Sequence, residues 1–137
     1  MNKKNIIIAV SAVVVVAVAG CMIGCCGKKK PSGAPVVAFY GAPTCPYCIK
    51  AKAFLDKVEA SGGYSEVQIV RYDVSTKEGM DKYMEAKANC EISSPGVPLA
   101  IFKDTKPCIY ELGFGEEAVS GEKYRQHIVA LIEESKK

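Results

Sequence analysis

The stretch YGAPTCPYCIKAKAFL, residues 40–55, decides how this chain is read: Cys45 and Cys48 stand three positions apart with Pro46 and Tyr47 between them. Just before them PVVAFY (35–40) is a short apolar run rich in β-branched and aromatic residues, the pattern of a buried strand. After them Cys48, Ala51, Leu55 and Val58 recur at helical spacing, and Pro46 is tolerated in a first turn, where its missing N–H costs nothing. Cys45 therefore stands where a strand gives way to a helix.

That place has a chemical consequence. Unpaired amide N–H groups and the positive end of the helix dipole favour a thiolate over a thiol, so Cys45 is expected to be a nucleophile. Cys48, one turn further in, is near enough to close a small disulfide ring and more buried, as suits a resolving thiol. Tyr47 offers a flat exposed surface beside the sulfur. Zinc is not expected, because a structural site usually takes four protein ligands. The chain has one histidine, His127, and Cys90 and Cys108 lack a second paired spacing. A redox pair on a β-α-β pattern is the reading left.

Further along, EVQIVRYDV (66–74) alternates like a strand, and TKEGMDKYMEAKANC (76–90) puts Met80, Tyr83, Met84 and Lys87 on one helical face. PLAIFKD and KPCIYELGF read as a strand pair turning near Asp104 to Lys106. GEKYRQHIVALIEESKK aligns Tyr124, Ile128, Leu131 and Ile132 as a core-facing stripe. The order is β-α-β-α-β-β-α. Strand, helix and strand require a parallel crossover while the last two strands form a hairpin, which predicts an α/β domain with a mixed four-stranded sheet and helices on both faces. Chemistry in such sheets gathers where strands give way to helix N-termini. Tyr72 and Asp73, at a strand end, either line the site or simply end the strand, and His127 is expected at a helix boundary rather than as a general base. Cys90 and Cys108 are expected as separate buried thiols, since nothing in the sequence fixes their separation; an oxidising compartment would also permit a structural disulfide between them.

Pro98, after Val97 in SSPGVPLAIF, stands at the start of the third strand. TCPYC together with GVP in this element order resembles the glutaredoxins of the thioredoxin superfamily, over roughly residues 35–135. The resemblance implies a thioredoxin/glutaredoxin fold and thiol-disulfide oxidoreductase activity. It makes Cys45 the attacking thiol, Cys48 the resolving thiol, and Val97 with a cis Pro98 a platform whose backbone pairs with an extended substrate. It also places Pro46 and Tyr47 at the substrate and implies glutathione as a co-substrate, with no tightly bound cofactor. Some glutaredoxins instead hold an iron-sulfur cluster as a dimer, a use that the proline inside the motif disfavours. Two features depart from the family pattern. GAP replaces the usual lysine before the motif, and LGFGEE replaces a glycine pair followed by an acid, so that Gly113, Gly115 and Glu116 are the candidates for that job. Thioredoxin proper fits less well, since its tryptophan-glycine-proline signature is absent and Phe39 fills the place of its buried acid.

The N-terminus carries an address. Lys3 and Lys4 precede the apolar run IIIAVSAVVVVAVAG, and CMIGCCGKKK follows it. VAGC (18–21) resembles the cleavage box of bacterial lipoprotein signal peptides, which implies a signal peptide at 1–20 and lipidation of Cys21. The alternative is an uncleaved anchor that runs on through Cys25 and Cys26 to reach the ~20 apolar residues of a membrane span. Residues 21–34 read as a flexible spacer and 35–137 as the domain. Five of the eighteen basic residues precede residue 31, which leaves thirteen against fifteen acidic ones, so no nucleic-acid surface is expected on the domain. The expected partners are protein or low-molecular-weight disulfides and thiols, the membrane, and a membrane electron donor. The domain is expected outside the cytosol, in a periplasm or at the cell surface.

Overall fold

A computed structural model describes residues 33–137; the expected leader, Cys21 and most of the spacer lie outside the described residues. The elements are β1 (Val36–Gly41), α1 (Pro46–Ala60), β2 (Gln68–Asp73), α2 (Lys77–Asn89), β3 (Leu99–Lys103), β4 (Ile109–Leu112) and α3 (Glu122–Ser135), with a π-helical turn at Glu117–Gly121 leading into α3. Strand order is β2-β1-β3-β4, with β1 parallel to β2 and the other neighbours antiparallel. The expected mixed sheet is therefore present.

Alternation along the central strands sends side chains to opposite faces and creates two cores. Val37, Phe39, Ala100 and Phe102 pack against Ala51, Phe54, Leu55 and Val58 of α1 and Tyr124, Ile128 and Ile132 of α3. Tyr40, Leu99 and Ile101 face the other way, toward Tyr83 of α2 and Ile92. Tyr40 stacks on Tyr72 at 5.1 Å between ring centroids and meets Tyr83 edge-on at 5.9 Å. Helices thus cover both faces, α1 and α3 on one and α2 on the other. The stripes expected on α1 and α3 are the buried ones, with Leu131 packed at the margin.

The structure adds to or departs from the sequence reading at three points. The buried face of α2 is Gly79 and Tyr83, whereas Met80 and Met84 are exposed and Lys87 lies over the Tyr83 ring. Gly79 is what brings this helix in: a Cβ there would stand 1.9 Å from the Asp73 carbonyl oxygen. The second correction concerns Cys90 and Cys108, which are not separate thiols but a disulfide with Cα atoms 5.6 Å apart. The β3–β4 hairpin returns Cys108 to the end of α2, well within bridging distance. β4 is also shorter than KPCIYELGF proposed, because the turn runs on to Cys108 and contains a cis Lys106–Pro107 peptide.

Candidate active site at the start of helix α1

β1 ends at Gly41, and a Cβ there would meet Cys48 Cβ at 3.2 Å and the Phe39 ring at 3.0 Å, so the missing side chain lets the first turn of α1 sit against the strand end. The backbone then turns, with Cys45 N–H donating to the Ala42 carbonyl at 3.2 Å. Cys45 is the N-cap of α1, extended at φ −82 and ψ 116, and its Sγ accepts the Cys48 N–H at 3.2 Å. A sulfur thus fills the capping role that Ser or Asp oxygens usually take. Pro46 follows at the first helical position, where it forfeits no hydrogen bond.

The two thiols live in different surroundings. Both are free; Cys45 is half-buried, and Cys48 is 3% exposed. Burial first, and then its hydrogen bond to Cys45, push the Cys48 thiol up to about 11. Cys48 also forms one wall of a cavity of about 230 Å³ behind the motif, shared with Phe39, Ile49, Tyr72 and Asp73. Tyr72 and Asp73, at the end of β2, therefore border the same cavity as the Cys48 thiol. Asp73 has a structural duty there: Ser75 N–H and Oγ–H donate to its Oδ1 at 2.8 and 2.6 Å, and these bonds hold its carboxyl below the usual range.

Opposite Cys45, its Sγ lies 3.9 Å from the Val97 carbonyl, and the Val97–Pro98 peptide is cis. The Pro98 carbonyl accepts the Gly113 N–H at 2.7 Å, which ties the end of β4 to this turn; Gly113 has φ +87, where a side chain would be strained. Gly115 is set differently, with its N–H on Ser120 Oγ at 3.0 Å, and Glu116 beside it is exposed. The fold thus brings Cys45, Cys48, Pro46, Tyr47, Val97, Pro98 and Gly113 together, while Gly115 belongs to the turn before α3. Tyr47 is 57% exposed on the rim. His127 lies elsewhere, 3.0 Å from Glu111 and packed on Phe102.

One contributor carried no sequence signal beyond a helical stripe. The Tyr83 hydroxyl donates to the Gly96 carbonyl at 2.9 Å and accepts the Gly96 N–H at 3.2 Å, holding the residue just before Val97. Chemically, the arrangement offers an accessible sulfur at a helix N-terminus, an N–H aimed at it that steadies negative charge on attack or departure, a second thiol one turn away, and a strand end across from it.

Among solved structures, chloroplastic thioredoxin z overlaps with a TM-score of 0.47 at 18% identity, covering 69% of this chain and 78% of that one. A malarial protein overlaps at 0.46 and 16% identity, covering 73% and 94%. Mitochondrial thioredoxin 3 from Saccharomyces cerevisiae, in its oxidized form, overlaps at 0.44 and 20% identity, covering 66% and 76%. No curated protein sequence matches the chain. The glutaredoxin family model matches residues 37–105, half of the chain. That match runs from β1 through the Cys45–Cys48 turn and Pro98 to the end of β3, and the chain belongs to the glutaredoxin family.

Proposed function

We propose that the protein is a membrane-tethered thiol-disulfide oxidoreductase acting outside the cytosol through Cys45 and Cys48. The observation that carries the reading is the Cys48 N–H directed at Cys45 Sγ, across from Val97 and at the start of α1. In the reducing direction the Cys45 thiolate attacks one sulfur of a substrate disulfide, and the other sulfur leaves and takes a proton. Cys48 then loses its proton and attacks Cys45 Sγ, expelling the second substrate thiol and leaving a Cys45–Cys48 disulfide. Two electrons have passed to the substrate; run backwards, the same steps oxidise a dithiol. A low-molecular-weight thiol such as glutathione would serve as co-substrate by releasing the mixed disulfide, and a membrane electron donor would re-reduce the pair. Prolyl, tyrosyl and valyl surfaces at Pro46, Tyr47 and Val97 would receive the substrate chain, with Gly113 beside them.

The address rests on VAGC ahead of the domain and on the Cys90–Cys108 bond, since disulfides persist in oxidising compartments. Expressed in a bacterial host, Cys45→Ser should lose all turnover, while Cys48→Ser should accumulate substrate mixed disulfides visible on non-reducing gels. Full turnover by Cys45→Ser would sink the mechanism. In the same cells, Cys21→Ser should lose incorporation of a fatty-acid label, and equal labelling of both proteins would remove the lipid tether.

A further inference from the structure

The Cys90–Cys108 disulfide closes a loop that contains the whole substrate platform. From Cys90 the chain runs through residues 91–97 to Val97 and Pro98, then down β3 and round the turn to Cys108. Residues 93–96 of this run are exposed, and only Ile92 is buried. Its remaining ties are few. Ile92 N–H donates to the Lys87 carbonyl at 2.9 Å, and Tyr83 grips Gly96 at the far end. Glu91, directly after Cys90, sits at φ 55, a left-handed conformation that a side chain makes unfavourable, with its carboxylate paired to Lys106. The disulfide and that ion pair hold an unfavourable backbone turn in place.

The bond is within reach of a reductant. Cys90 and Cys108 are half-buried and, with Glu91, Lys106 and Pro107, line an open groove. The protein's own redox pair does not reach it, because Cys45 lies at the Leu99 end of β3 and Cys108 beside its Lys103 end, on the order of 15 Å apart along five strand residues.

We propose that the Cys90–Cys108 disulfide is a reducible brace that sets the order of the Val97 platform, so that its redox state tunes the protein's affinity for extended substrates. The reductant is an external vicinal dithiol. One of its thiolates attacks a sulfur of the bond to form a mixed disulfide. Its second thiol displaces that sulfur, the donor leaves as a disulfide, and Cys90 and Cys108 each take up a proton. Glu91 then keeps its left-handed turn only through its exposed ion pair with Lys106 and the N–H it donates to the Ala88 carbonyl at 3.3 Å, and beyond it residues 92–97 keep the Ile92 and Tyr83 ties. Substrates that pair with the Val97 backbone lose a fixed partner, while small disulfides that need only Cys45 do not.

Two measurements test this. In full-length protein carrying Cys45→Ser and Cys48→Ser, reduction by dithiothreitol should raise amide hydrogen exchange at residues 91–97 at least about tenfold while β1 and α1 stay protected. In protein with the active pair intact, Cys90→Ser with Cys108→Ser should raise KM for an extended peptide disulfide several-fold and leave kcat/KM for a small disulfide such as cystine within about twofold. Tyr83→Phe, which cuts the other tie with the disulfide intact, should raise the same KM. Unchanged exchange, an unchanged KM, or exchange that rises throughout the domain would each overturn the brace. The kinetic arm rests on the oxidoreductase reading and the exchange arm does not, so absence of turnover in the parent protein would remove that reading and leave the brace to be judged by exchange alone.

Discussion

Cys45 and Cys48 differ by one helical turn, and that turn separates a sulfur that caps the helix from one that is sealed beneath it. The wall next to Cys48 includes Phe39, which is 4% exposed, and Asp73, whose Oδ1 is taken by Ser75 and whose carboxyl is held below the usual range, which makes it a poor acceptor of a proton. In the mechanism proposed above, attack by Cys48 therefore depends on its own ionisation. Burial favours the neutral thiol and pushes it up to about 11, so across roughly pH 6 to 9 the thiolate fraction grows about tenfold per pH unit. The release of a chromophoric thiol from a mixed disulfide preformed on Cys45 should accelerate with that slope in stopped-flow measurements. A rate flat over the same range would show that another group takes the proton. At this scale the sequence was informative: the spacing of the cysteines and the strand-to-helix transition were enough to assign outer and inner positions. The cavity behind Cys48 was not legible, because it is bounded by residues from β1, α1 and β2 together.

Helix α2 shows why a helical stripe by itself does not identify the buried face. The spacing put Met80, Tyr83, Met84 and Lys87 on one face and glycine at 79 carried no apolar signal, yet of that face only Tyr83 is buried and the helix approaches β2 through Gly79. Thr76 caps this helix, with its Oγ1 accepting the Gly79 N–H at 3.0 Å and donating to the Asp73 carbonyl at 2.7 Å, so strand end, cap and helix form one tight corner. Gly79→Ala would place a methyl 1.9 Å from backbone oxygen and 2.5 Å from the Asp73 carbonyl carbon, and neither can rotate away. We expect a loss of about 2–4 kcal/mol in urea unfolding of the full-length protein, set by how far α2 can slide. An unchanged midpoint would mean that the corner is looser than drawn. In α1 and α3, by contrast, the apolar stripes were read correctly, because each packs broadly on one face of the sheet and no close backbone approach competes with periodicity.

On the scale of the whole molecule, the described residues form two cores on opposite sides of one sheet, and a disulfide ties the end of α2 to the turn between β3 and β4. The Cys90–Cys108 bond joins positions 18 apart in sequence. A closed loop of that size is worth ~3 kcal/mol, chiefly by limiting the unfolded chain. Equilibrium unfolding of the Cys90→Ser and Cys108→Ser double variant should therefore show a stability lower by about that amount, and a difference under ~0.5 kcal/mol would mean that strain in the folded state cancels the gain. The sequence by itself determined the order of elements, the sheet with helices on both faces and the placing of Cys45 and Cys48 one turn apart at the start of α1, because hydrophobic periodicity, turn chemistry and local spacing act over a few residues. Only the tertiary structure decided that Cys90 and Cys108 are bonded, that Tyr83 grips Gly96, and that Gly113 rather than Gly115 stands beside Pro98. Each of these depends on where a hairpin or a helix end arrives in space, and that distance is set by the packing of the whole sheet.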